Sequence, residues 1–188
     1  MRYFRIVDAF NIPRRWYLGS PISPAGIEVD PRSFTEGREY KGEGRLLLPI
    51  DRGSEPLDFT LGSFDMPIVR AEIAAKLELL APGEIQRIPV AVVGSRTKYE
   101  VMNVLTVMKI INEGLSEITR WTASDGVPSR VGTYAGIGKL VLNRAGIGSS
   151  RIFRLKDWEL PLFVSESIKN YLEVSHATGI AFEEIQVV

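Results

Sequence analysis

The stretch MPIVRAEIAAKLELLAPGEIQRIPVAVVGSRTKYEVMNVL, residues 66–105, decides the fold class. Between Arg70 and Ala81, Ile73, Leu77 and Leu80 share one helical face, Glu72 and Lys76 pair four residues apart on another, and Pro82-Gly83 stops the pattern. Ile88, Val90 and Val92 then alternate, Gly94 to Lys98 form a polar turn, and Tyr99 to Leu105 is again apolar and β-branched. The spacing predicts a helix over 70–81 and a β-hairpin over 85–93 and 99–105.

Outward from this block the same signals recur. Val164 to Val174 reads as a second helix with Val164, Ile168, Tyr171 and Leu172 buried, Gly179 ends the segment, and Ile180 to Val188 closes the chain as a strand. Tyr3–Val7, Arg45–Ile50, Leu57–Leu61 and Ile152–Leu155 are short strand candidates, while Thr106–Asn112 fits a strand or a turn of helix. From Asn11 to Gly44, four prolines and five glycines break every period, which predicts a long loop-rich segment. The expected architecture is α+β, a mostly antiparallel sheet with two main helices, in a single domain over residues 1–188. MPIVRAEIAAKL from Met66 and LPLFVSESIKNYL from Leu160 echo one another; both a duplication and two ordinary loop–helix–strand units fit that echo.

Composition narrows the function. The 188 residues carry 23 Lys plus Arg against 23 Asp plus Glu, so no global charge favours nucleic acid or an anionic membrane, and neither is expected as a partner. Locally the charge is uneven: residues 110–155 net +3, and residues 156–188, with six acids against two lysines, net −4. The absence of cysteine removes disulfides, thiolate nucleophiles and Cys-ligated metals. The opening MRYFRIVDAF lacks the apolar core of a secretory signal, and no apolar run approaches the roughly 20 residues of a membrane helix, so a cytoplasmic protein is expected.

The catalytic inventory is thin. His176, the single histidine, falls where an imidazole serves the end of a helix. GTYAGIGKL from Gly132 misses the phosphate-loop spacing and lacks the hydroxyl after Lys139; RAGIGSSR from Arg144 lacks the third glycine of a dinucleotide loop. Both read as turns. No acidic loop with calcium spacing occurs, and neither cofactor nor metal is expected. Glu183 and Glu184 are adjacent on a strand and point to opposite faces; Asp157 and Glu159 share one, as solvated charges commonly do. Arg14, Arg15, Trp16 and Tyr17 combine two cations with two aromatics, a composition suited to gripping a partner or to anchoring the loop.

FDMPIVRAEI, IPVAVV, YEVMNVL, IFRLKDW, PLFVSESIKNYLE and TGIAFEEI, in this order between residues 64 and 185, resemble a family of bacterial immunity proteins of polymorphic toxin systems, well known from myxobacteria. The resemblance covers roughly residues 58–188 and extends to the opening strand and Trp16. Its recurrent positions, here Pro67, Val69, Asn103, Phe153, Trp158, Pro161, Ile168, Gly179 and Phe182, are those a shared core needs. It implies a non-enzymatic protein that binds and neutralises a cognate toxin domain, nucleases being frequent among such toxins. Neutral charge departs from the acidic character common in nuclease inhibitors. On this reading Arg14, Arg15, Trp16 and Tyr17, with the acidic Asp157, Glu159, Glu183 and Glu184, are the toxin-interface candidates. A regulatory or scaffold module and a hydrolase using carboxylate chemistry are the alternatives, and self-association through an edge strand such as Ile180–Val188 is a further expectation.

Overall fold

A computed structural model describes all 188 residues. In chain order the elements are β1 (Tyr3–Asp8), β2 (Tyr17–Leu18), β3 (Leu46–Leu48), β4 (Ile50–Arg52), β5 (Phe59–Leu61), β6 (Pro67–Arg70), α1 (Ala71–Leu80), β7 (Ile85–Val92), β8 (Tyr99–Val104), β9 (Val107–Met108), β10 (Ile118–Arg120), β11 (Tyr134–Ile137), β12 (Val141–Leu142), α2 (Arg144–Ile147), β13 (Ile152–Leu155), β14 (Trp158–Ser165), α3 (Glu166–Val174) and β15 (Ile180–Val187). Two sheets carry the fold, ordered β3-β7-β8-β6-β5 and β12-β15-β1-β14-β13-β9, and the α+β class with two main helices holds.

Apart from β9, the second sheet repeats the first strand for strand. In the first, Val69 lies between Phe59 and Glu100; in the second, Val164 lies between Ile152 and Phe4. Tyr99 faces Arg70 and Val90, as Tyr3 faces Ser165 and Ile185. Even the parallel edge strands agree: Leu48 pairs with Val92 and accepts from the Val93 N–H at 3.0 Å, while Leu142 pairs with Val187 and accepts from the Val188 N–H at 3.0 Å. The echo at Met66 and Leu160 marks β6-α1-β7 and β14-α3-β15. One connection differs. β8 follows β7 through a turn, whereas its counterpart β1 comes from the opposite end of the chain, so the second half is closed by the N-terminus.

That closure brings the termini together. The Arg144 backbone N–H donates to Val188 O at 2.7 Å, and its guanidinium donates to Met1 O at 3.1 Å. Joining Val188 to Met1 by a linker of about six residues, with new ends opened in the 93–98 turn, costs only loop-closure entropy. The permuted chain is expected to keep cooperative thermal unfolding and the wild-type far-ultraviolet circular dichroism; an unfolded product counts against the equivalence of the halves.

Each helix buries one face in a core that both sheets share. Ile73, Ala74 and Leu77 of α1 and Ile168 and Leu172 of α3 share one core with Phe4, Phe59, Met102, Ile152 and Val164. Each outer sheet face has its own cover: Trp16, Leu18 and Phe34 from the loop-rich segment on the first, and Ile110 and Ile147 on the second. The halves cap each other's strands. Glu84, after α1, accepts from the N–H groups of Arg151 (3.0 Å) and Ile152 (2.8 Å) at the start of β13; the Thr178 carbonyl, after α3, accepts from Phe59 N–H at the start of β5 (3.0 Å). Gly179 has φ +105°, and a Cβ there would stand 2.0 Å from Phe59 O, so glycine is required at this crossing. Glu84→Ala strips two strand-start donors of their acceptor and is expected to cost about 1–3 kcal/mol in urea unfolding, while Glu84→Gln, which keeps an acceptor oxygen, costs less.

Several sequence expectations are corrected. The second helix starts at Glu166, because Pro161 to Ser165 extend β14; Val164 is buried from a strand. Glu72 stands 3.7 Å from Arg70 and is not paired with Lys76. Thr106–Asn112 contributes β9 and a single bridge at Ile111. Tyr134–Ile137 within the glycine-rich run is a strand, and Arg144–Ile147 is one helical turn. β15 is an edge only in part, since β12 pairs with Gln186 and Val187. His176 takes the left-handed conformation after α3 (φ +52°), and its backbone N–H, not its ring, donates to Glu173 O at 3.0 Å.

Candidate functional site

The four residues Arg14 to Tyr17 are divided by the fold. Arg14 is exposed and left-handed (φ +54°), and its carbonyl accepts from the N–H groups of Ser54 and Glu55. Arg15 is buried: its guanidinium donates to Asp8 Oδ1 at 2.6 Å and Ala9 O at 3.0 Å and lies over the rings of Phe10 and Tyr17. Trp16 is 1% exposed, donates to Thr60 Oγ1 at 2.8 Å and meets Tyr99 edge-on at 5.3 Å. Tyr17 is half-buried, with Arg52 4.3 Å from its ring centre. The cation–aromatic composition of this segment is thus largely spent on the protein's own packing.

The acidic candidates lie elsewhere, on two depressions that share Trp158. Asp157 and Glu159 stand at the β13–β14 turn, where the Asp157 N–H donates to Glu159 Oε1 at 2.9 Å, and they line a groove of about 430 Å³. Glu183 and Glu184 border a neighbouring depression with Arg5, Lys139 and Trp158. Both are exposed, and each pairs with an arginine near the N-terminus: Glu183 with Arg5 of β1 at 3.9 Å, Glu184 with Arg2, just before β1, at 3.5 Å.

The larger groove draws on four separated segments. A 3₁₀ turn at Pro31–Phe34 brings Arg32, the turn at Ser63–Asp65 brings Phe64, the β10–β11 hairpin brings Trp121, Arg130 and Tyr134, and β14 brings Trp158 and Leu160. Phe64 and Leu160 are 46% and 43% exposed, far more than sheet-facing residues of their type here. Arg32 lies 5.1 Å from the Phe64 ring centre and Arg130 5.4 Å from that of Trp121. Arg32 is held by Asp30 at 3.0 Å, whereas Arg130 has no acidic partner within 4 Å. The hairpin is pinned by Glu113, which accepts from Tyr134 Oη (2.6 Å) and Arg120 (2.7 Å); these two donors hold its carboxyl below the usual carboxylate range.

Beneath the groove, Arg154 is fully buried. Its guanidinium donates to the carbonyls of Glu159 (2.8 Å), Leu160 and Asp65 (2.8 Å), while Nε has no partner. No carboxylate lies within ion-pair distance, and burial lowers its pKa to about 10, so it is cationic at neutral pH. Burial pushes the nearby Asp65 carboxyl up, against the pull of Arg154 and Arg5. Phe64, Asp65 and Asp157, all left-handed with φ between +51° and +67°, occupy the two turns whose chain Arg154 grips.

Sequence reasoning reached Asp157 and Glu159 but missed Phe64, Trp121, Arg130 and Arg154. A usable signal was present for Trp121: in TRWTASDGVPSR a lone tryptophan stands among polar residues and turn formers, where no core period can bury it.

No grouping of three or more His, Cys, Asp and Glu suited to a metal ion occurs. The groove is lined by aromatics and arginines, residue types that protein interfaces favour. The chain belongs to the Immunity protein family (Imm11), which it matches over residues 20–187. It is a non-catalytic immunity protein that binds and neutralises a cognate toxin. The match includes most of the loop-rich segment, beyond the 58–188 span of the sequence resemblance, and leaves out β1 and Trp16. No curated protein matches the chain.

Proposed function

We propose that the toxin domain docks on the groove of Phe64, Trp121, Trp158 and Leu160, and that docking there is the act of neutralisation. The observation that supports this is the convergence of exposed Phe64, half-buried Trp121 and Trp158, and two exposed arginines from separate chain segments on one concavity. Aromatic and arginine side chains are the residue types that dominate interface energetics, and a protein that served only its own core would have no need to leave them accessible. Asp157 and Glu159 lie inside this footprint, and Glu183 and Glu184 extend it across Trp158. Arg14 stands apart from it, while Arg15 and Trp16 support the fold. A stable complex needs roughly 1,200–2,000 Å² of total buried surface, so the neighbouring depression and the hairpin rim join the contact.

The surface is mixed in charge, with Arg32 and Arg130 facing Glu36, Asp157 and Glu159, and is therefore unlike an acidic mimic of a phosphate backbone. We place the protein's action in the cytoplasm as a single domain; no helix is long and apolar enough to cross a membrane. Co-expression with the cognate toxin domain tests the reading. Wild-type protein protects the cell, and a variant with the groove aromatics truncated does not. Full protection by that variant at equal abundance would sink the groove as the docking surface.

A further inference from the structure

We propose that Arg154 is a positioning residue for toxin binding: from beneath the groove it holds the Phe64 turn and the Asp157–Leu160 turn in the shape the toxin meets. The inference rests on the docking reading above.

An unpaired cation inside a protein is a poor source of stability. Desolvation is costly, no carboxylate closes an ion pair, and apolar residues of similar volume replace even paired buried charges at little or no loss. What Arg154 does is join two turns that are distant in the chain, one of them 89 residues before Arg154 itself. One fork reaches Asp65 O, next to Phe64; the other reaches Glu159 O and Leu160 O, beside Trp158. Both turns are strained. Left-handed backbone at a non-glycine residue persists only where its surroundings impose it, and Phe64, Asp65 and Asp157 all adopt it. Three of the five such residues in the chain therefore sit in the two turns that Arg154 ties. A planar guanidinium can serve both at once; an ammonium cannot match that fork. Holding the turns before the toxin arrives removes an ordering cost from binding.

The test measures three properties of Arg154→Met and Arg154→Lys: thermal midpoint, amide hydrogen exchange, and affinity for the purified cognate toxin domain. Arg154→Met is expected to keep a cooperative transition, because water from the open groove can solvate the released carbonyls at half-exposed Asp65 and exposed Leu160. Exchange should quicken at 64–66 and 157–160 and not in α1 or β8, and toxin affinity should fall at least 10-fold. Arg154→Lys should fall between this variant and wild type on exchange and affinity alike. Affinity within twofold of wild type for a folded Arg154→Met overturns the positioning role. So does a loss of affinity without faster exchange at the two turns. If Arg154→Met fails to fold, Arg154→Lys decides, and wild-type affinity with looser turns overturns the proposal. The groove variant Phe64→Ala/Trp121→Ala separates the two readings: if it binds toxin as wild type does, the docking surface itself is wrong; if it loses binding while Arg154→Met keeps it, only the positioning role fails.

Discussion

Trp16→Ala is expected to lower unfolding free energy by about 3–5 kcal/mol, the range for truncating a buried tryptophan. Three losses combine. The indole fills the space between the first sheet and its cover, beside Leu18, Phe34, Leu57 and Met66, and alanine leaves a cavity there. Its edge-on contact with Tyr99 disappears. Thr60, itself 1% exposed, keeps a buried hydroxyl without the indole donor. For a chain of this length such a loss lowers the thermal midpoint by roughly 6–20 °C. Trp16→Phe, which keeps most of the volume, should lose less. The decisive comparison is at low temperature, where the folded fraction of Trp16→Ala should still bind toxin with wild-type affinity. A stable Trp16→Ala that has lost toxin binding would return this residue to the interface.

The opposite pattern is expected at the groove. Phe64→Ala and Trp121→Ala should each weaken toxin binding by about 2 kcal/mol or more, roughly 30-fold, as aromatic hot spots do. The double variant should abolish protection on co-expression. Neither ring lies in the shared cores, so stability should stay within about 1 kcal/mol of wild type, the cation–π contacts of Arg32 and Arg130 being the chief loss. Titration calorimetry or surface plasmon resonance with the purified toxin domain, beside a thermal melt, separates the two effects. Binding within threefold of wild type for the double variant would move the interface away from this groove.

Residues 70–105 could be read from sequence because their signal is local, whereas β6 before them, four residues led by a proline, was not recognised as a strand. α1 and the β7–β8 hairpin are each specified by a period and a breaker within about twelve residues, and the structure follows to within a residue or two. The start of the second helix was misread because PLFVS is apolar without interruption, and such a run fits a buried strand as well as a helical face. β10 to β12 escaped because they are two to four residues long and set among Gly, Thr and charged residues, too short to show alternation. The site was less legible than the fold for a different reason. An arginine beside aromatics describes the buried anchor at Arg15–Tyr17 as well as it describes a binding surface, and only burial distinguishes them. The groove depends on Arg154 meeting Asp65 across 89 residues, and no local pattern encodes such a meeting.

The two covers, one over each outer sheet face, meet at the groove, and apart from the short edge strand β12 neither supplies a strand to the repeated five-strand pattern. Their side chains answer to the sheet on one side and to a foreign protein on the other. Changes on the outward side leave the double sheet's register untouched, since that register is held by pairings between strands and by the core around α1 and α3. Part of the recognition surface, the share carried by Arg32, Trp121 and Arg130, is thereby free of the demands that set the fold. Drift in the two covers can therefore retune one side of the groove, while Trp158 and Leu160, set on β14, are held in place by the sheet itself.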